Sequence, residues 1–279
     1  MNRIFKTSLM TGIIVTALYV VLFYPLVLIN IFELKDLMLV ALSICPGIFI
    51  MAVIYNLDEY DKEPLWLLAI AFIFGAINLH LDVDLLEYFL QFINLENDFL
   101  NIGGEALTVS ITEEVLKFLV VILILYPNKN FDEPYDGIVY SVFVGMGFAT
   151  AENLTFVLQG NASLAVLRMF SAVPAHFVFA VIMGYYLGKA KTNEKFKFFN
   201  ILLSLIVPIL FHAFYDYFLF LDFVPGIWIG GLVTLLIAFF VAKNSIIEHM
   251  NASPFIFVAK NSIIEHMNAS PFKKDKEKI

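Results

Sequence analysis

Runs of about twenty predominantly apolar residues recur along the chain, each long enough at 1.5 Å per residue to cross a hydrocarbon layer as a helix. Eight are predicted, at roughly 8–30, 36–55, 65–80, 105–126, 136–158, 164–188, 198–220 and 224–242. The pattern therefore predicts an all-α fold, a polytopic membrane helix bundle. The short polar connections set its orientation. Arg3 and Lys6, Lys62, Lys129, the group Lys189, Lys191, Lys195 and Lys197, and Lys243 all fall on one side of an eight-span arrangement, and Lys35 alone falls on the other. By the positive-inside rule both termini are cytoplasmic. The outer connection 80–104 has no Lys or Arg. In it Leu85, Leu86, Phe89, Phe92 and Ile93 form one helical stripe opposite Asp84, Glu87 and Gln91, which predicts a short helix lying on the outer membrane face. Pro64 is suited to starting the third run, and Trp66 and Trp228 sit where interfacial anchors are expected.

Composition agrees with this reading. Of 279 residues 61% are hydrophobic and only 15% charged, which excludes an ordinary soluble domain. The first run, 8–30, lacks a small-residue cleavage site and is expected to be a retained anchor. Cys45 is the single cysteine, so no intrachain disulfide and no cysteine zinc site can form. A net charge of −8, with no basic patch, argues against a nucleic-acid partner. The expected division is an integral membrane domain over 1–242 and a cytoplasmic tail over 243–279. Within the tail, residues 240–255 and 257–272 are identical, a tandem duplication. His249 and His266 are copies of each other in it and are discounted as ligands.

Apolar packing does not account for Glu113-Glu114-Val115-Leu116-Lys117, two carboxylates and an ammonium inside one run. Each ionisable group at mid-membrane costs at least roughly 2.5–3.5 kcal/mol, so three together imply a polar interior and, by default, function. Further polar groups lie in the next runs: Glu152-Asn153 after the small residues Gly145 and Gly147, His176 beside Pro174, and His212 with Asp216 one turn on. Arg168 is expected to snorkel to the interface, and Gly184 with Gly188 to serve helix packing. Counted from the outer ends of their runs, Glu113, Glu152, His176, His212 and Asp216 share a layer roughly 12 Å thick, open toward the outer leaflet. One lysine neutralises one carboxylate, leaving the other as a candidate general base. Carboxylates and imidazoles together suit either a metal-bound water or a metal-free, glutamate-activated water. Buried Glu, His and Asp chains also serve proton-coupled transporters, against which no inverted repeat of hydropathy is visible, and a non-catalytic membrane scaffold is a third reading.

The order of these motifs resembles the PrsW family of bacterial intramembrane proteases, related to the CAAX-processing and bacteriocin-processing membrane proteases. The resemblance is carried by EExxK at Glu113, Glu114 and Lys117, Glu152-Asn153 at the end of a small-residue helix, the isolated His176, HxxxD at His212 and Asp216, and the turn Asp61-Lys62-Glu63-Pro64. It covers about residues 55–220. Against the CAAX proteases the chain departs in carrying Lys117 at a different spacing, Glu152 four residues after Phe148 where histidine stands, and Asp216 for asparagine. The resemblance implies a multi-pass protease of the bacterial cell membrane that cuts a membrane-anchored protein, an anti-sigma factor in the family's namesake, at its outer face. It implies that Glu113 or Glu114 activates water. It further implies that His176 and Glu152 assist or, with His212, ligate a zinc ion, and that His212 and Asp216 orient the water or the oxyanion.

Overall fold

The computed structural model describes residues 34–58, 61–159 and 162–252, and every regular element among them is helical. In chain order these are α1 (Leu34–Leu57), α2 (Leu65–Leu90), α3 (Asp98–Val120), α4 (Pro134–Gln159), α5 (Ala162–Phe170), α6 (Ala172–Thr192), α7 (Lys197–Phe220) and α8 (Ile229–Ala252). The predicted first run, 8–30, and the second copy of the tail repeat lie outside the described residues. Among the described residues five stretches are long and apolar enough to cross a membrane: Met38–Leu57, Leu65–Leu90, Val166–Thr192, Glu194–Phe220 and Ile229–Ala252. The long helices α3 and α4 are outside that set. Glu113, Glu114 and Lys117 dilute the first, and glycines with Glu152 and Asn153 dilute the second.

Helix α4 is the post around which the others stand, packed on α6, α2 and α1. Lipid tails are as apolar as leucine, so close backbone approach, not burial of oil from water, drives such packing. A side chain on Gly137 would collide with the backbone of Gly184 and Gly188, and one on Gly147 with the carbonyl of Phe72. The GxxxG pair of α6 is thus a packing surface. Around these contacts Ile138, Val142, Val144, Met146, Phe148, Val178 and Ile182 are fully buried, while Trp66, Phe198, Leu236 and Phe240 face outward as lipid contacts.

Several boundaries differ from expectation. The separate surface helix predicted after His80 is the continuation of α2, which runs unbroken to Leu90 because no Gly or Pro interrupts the segment from 76 to 90. The run 164–188 is two helices with a break at Ser171. Pro174 has no N–H for the carbonyl of Phe170, and the chain turns there. Helix α8 extends past 242 to Ala252, with Ser245 and His249 buried and the His249 ring stacked on Tyr185 at 4.6 Å. His249 is therefore a packing residue remote from the polar cluster. Helix α3 starts at the Asn97 cap, whose side chain accepts from Leu100 N at 3.2 Å, and ends in a π-helical turn, Val121–Leu125.

Candidate active site

Lys117 is the centre of the polar cluster. Helix geometry brings it over Glu113, one turn back, and Glu114, three residues back. Its Nζ lies 3.0 Å from Glu113 Oε2 and 2.8 Å from Glu114 Oε1. The expectation that it serves one carboxylate is corrected: an ammonium carries three N–H groups and bridges both. The third N–H meets His176 Nδ1 of α6 at 3.0 Å. Phe148 of α4 lies beneath, its ring centroid 4.2 Å from Nζ.

From His176 the network runs outward. Nδ1 accepts from Lys117, so the ring proton is on Nε2, which donates to Glu152 Oε2 at 2.8 Å. The other oxygen, Glu152 Oε1, takes Arg168 Nη2 at 2.8 Å, and Arg168 Nε donates to Asn153 Oδ1 at 2.8 Å. Arg168 does not snorkel. It projects from α5, on the far side of the break at Ser171, back onto α4. On α7, His212 Nδ1 faces Glu114 Oε1 at 3.1 Å and Nε2 faces Asp216 Oδ2 at 3.1 Å, while the ring stacks on Phe179 at 4.9 Å. The two imidazoles meet edge to face, 5.5 Å apart.

All eight residues singled out in the sequence, Glu113, Glu114, Lys117, Glu152, Asn153, His176, His212 and Asp216, thus converge from α3, α4, α6 and α7. Small residues make this possible: a side chain on Gly145 would meet Ala180 of α6. His176 lies one turn from the start of α6, and Glu152 and His212 about two turns from the ends of α4 and α7, so three helices present the cluster at one end of the bundle. The lysine-rich connection 189–197 is at the other.

Sequence reasoning missed two members. Arg168 is one; the available signal was an arginine in an apolar run with no acid on its own helix. Asp82 is the other. It is 3% exposed on α2, faces Thr112, and interacts electrostatically with Lys117, Glu152 and His212. Its neighbour one turn back, Asn78, donates to Leu116 O at 2.9 Å, and that spacing on one face was the legible sign.

The metal set expected from sequence, His176, His212 and Glu152, is not the one the geometry assembles. His212 spends both nitrogens on carboxylates and Glu152 both oxygens on His176 and Arg168. Instead Glu113, Glu114 and His176 offer ligand atoms within 4.8 Å of one another.

Residues 63–243 match the family described as PrsW family intramembrane metalloprotease. Protease PrsW of Geobacillus kaustophilus is 36% identical over 182 residues, covering 65% of this chain and 79% of that protein. Protease PrsW of Bacillus subtilis is 35% identical over 187 residues, covering 65% and 82%. Protease PrsW of Clostridioides difficile is 32% identical over 219 residues, covering 76% and 91%. No solved structure matches the chain. The matched span, 63–243, takes in every residue of the Lys117-centred cluster, and the chain belongs to the PrsW family of intramembrane proteases, as a multi-pass bacterial membrane protein.

Proposed function

We propose that the cluster around Lys117 hydrolyses a peptide bond of a membrane-anchored protein near the outer face of the membrane, with Glu113 as general base. The observation that carries this reading is the convergence of eight polar residues from four helices in one buried network, three of them bound to the Lys117 ammonium. Glu114 Oε1 is held twice, by Lys117 and His212, and is fully buried; Glu113 is held once and retains slight exposure. Glu113 is therefore the freer carboxylate to take a proton from water. The hydroxide adds to the scissile carbonyl, the oxyanion develops near the Lys117 and Arg168 charges, and the proton passes from Glu113 to the leaving amine. His212 and Asp216 fix Glu114, and Glu152 with Asn153 fixes His176 and Arg168.

The residue types Glu113, Glu114 and His176, with Glu152 behind the imidazole, are those of a zinc site, but all three are bound to Lys117 Nζ and do not fit the ion while it is there. The steps above use the chain's own groups.

The substrate reading is a single-span protein, an anti-sigma factor cut in a first, site-one step. Eight spans with cytoplasmic termini, and residues 1–242 as the protease unit, complete it. It is supported by the position of the cluster at the end of the bundle opposite the lysine-rich connection. Co-expression with a tagged single-span substrate tests it. Glu113→Gln should lower cleavage by at least about two orders of magnitude with normal membrane insertion. His176→Ala and His212→Ala should abolish cleavage, and His249→Ala should not. Wild-type cleavage by both Glu113→Gln and Glu114→Gln would defeat the reading.

A further inference from the structure

Among the described residues, the three that could together hold a metal are the three whose side chains bind Lys117. Nζ is 3.0 Å from Glu113 Oε2, 2.8 Å from Glu114 Oε1 and 3.0 Å from His176 Nδ1. Each N–H of the ammonium has one acceptor, so the group is saturated. We propose that Lys117 is the built-in cation of this centre: it closes the Glu113, Glu114 and His176 set to divalent metal and holds those three groups in register.

Two physical arguments support this. The ammonium is tethered one turn from both carboxylates on the same helix, so it competes with a free ion intramolecularly, at a high effective concentration. Moreover it has nowhere to go. Lys117 is 3% exposed, boxed in by Phe148 on one side, and displacing it would strand an unpaired buried charge, which is far costlier than an exposed one. Removing the amine, by contrast, leaves two carboxylates and an imidazole converging with no cation between them, the composition and spacing of an open zinc site. Lys117 is on this view a positioning residue.

The inference rests on the cluster being the active site, but its test reads metal content. Full-length wild type, Lys117→Met and Lys117→Arg are purified in detergent, equilibrated with zinc and then with metal-free buffer, and assayed by elemental analysis. Cobalt is used in parallel for its absorption bands. Wild type and Lys117→Arg should retain well under a tenth of an ion per chain, and Lys117→Met about one ion per chain with tetrahedral cobalt bands. Adding Glu113→Gln to Lys117→Met should remove that ion. Stoichiometric metal in wild type overturns the proposal, and this arm decides even if Lys117→Met fails to fold. A folded Lys117→Met that binds no metal overturns it equally. Loss of the protease reading would appear instead as absent cleavage with the same metal results.

Discussion

Arg168 Nη2 lies 2.8 Å from Glu152 Oε1, joining the helix on one side of the turn at Ser171 to the acid that orients His176. The pair is mostly shielded from solvent, and Arg168 reaches Asn153 as well. Arg168→Ala should therefore lower stability by roughly 2 kcal/mol, the scale of a lost charged hydrogen bond, and should impair cleavage. Arg168→Lys should restore only part of both, since an ammonium cannot reproduce the fork on Glu152 and Asn153. Thermal unfolding in detergent and the cleavage assay together check this. Equal behaviour of the Ala and Lys variants would show that charge is not what the contact supplies.

Close approach of α4 and α6 makes a second prediction. A methyl on Gly137 meets backbone atoms of Gly184 and Gly188, which cannot rotate away, whereas one on Gly103 meets only the Tyr217 ring at an ordinary 3.7 Å. Gly137→Ala should cost about 1–3 kcal/mol, the usual range for overpacking, while Gly103→Ala is near neutral. The comparison is read as the difference in unfolding temperature between the two variants.

The connection before α2 carries a pH dependence. Burial pushes the Glu63 carboxyl up to about 9 and that of Asp58 to about 6. Tyr140 donates its hydroxyl to Glu63, and the Glu63 carboxyl is hydrogen-bonded to Asp136, which also accepts from the N–H groups of Asp132 and Glu133 at 2.8 and 2.6 Å. Two carboxyl groups share a hydrogen bond only with a proton between them. A group raised in the folded state binds its proton more tightly there. Its stabilisation is complete below the ordinary carboxylate range and is lost as pH rises through about 9. Unfolding temperature should fall from pH 6 to pH 9.5, and Glu63→Gln should flatten the fall. Tyr140→Phe removes a donor that favours the ionised form, so its transition should move to higher pH. A wild-type profile in Glu63→Gln would refute the shared proton.

Topology is open to a direct check. A reporter active only in the cytoplasm should be active when fused at Ile279 and inactive in the connection near Asn97. Activity at Asn97 would invert the bundle and put the cluster on the wrong side.

The chemistry of the site was legible because ionisable residues are rare in apolar runs. Each of Glu113, Glu152, His176, His212 and Asp216 stands out from its surroundings, and helix spacing alone pairs Lys117 with both acids. What could not be read is geometry between helices. That Lys117 also meets His176 depends on how far α3 and α6 approach, which the glycine and alanine contacts of α4 decide. Arg168 looked like an interfacial residue because the turn at Ser171, which aims it inward, comes from a proline three residues later. Asp82 was assigned to a loop because its acidity masked an α2 that continues for three more turns. The buried acids Asp58 and Glu63 sit in a short polar connection and Asp136 in the first turn of α4, where solvated acids and a proton-sharing contact have the same composition.

Helix α4 carries an acid near each end, Asp136 in its first turn and Glu152 two turns from its last. Aligned peptide dipoles give the first end partial positive charge and the other partial negative charge. Asp136 is thus favoured by the helix that bears it, consistent with its capping of two N–H groups and with the shared proton residing on Glu63. Glu152, two turns short of the other end, lies beyond the reach of either helix end and gains no such support. Its negative charge must be sustained by donors from elsewhere, and Arg168 and His176 both come from the interrupted segment α5–α6. The electrostatics of the site is therefore borrowed across the break at Ser171, and any motion that straightens or swings α5 would withdraw the counter-charge from the acid that orients the imidazole.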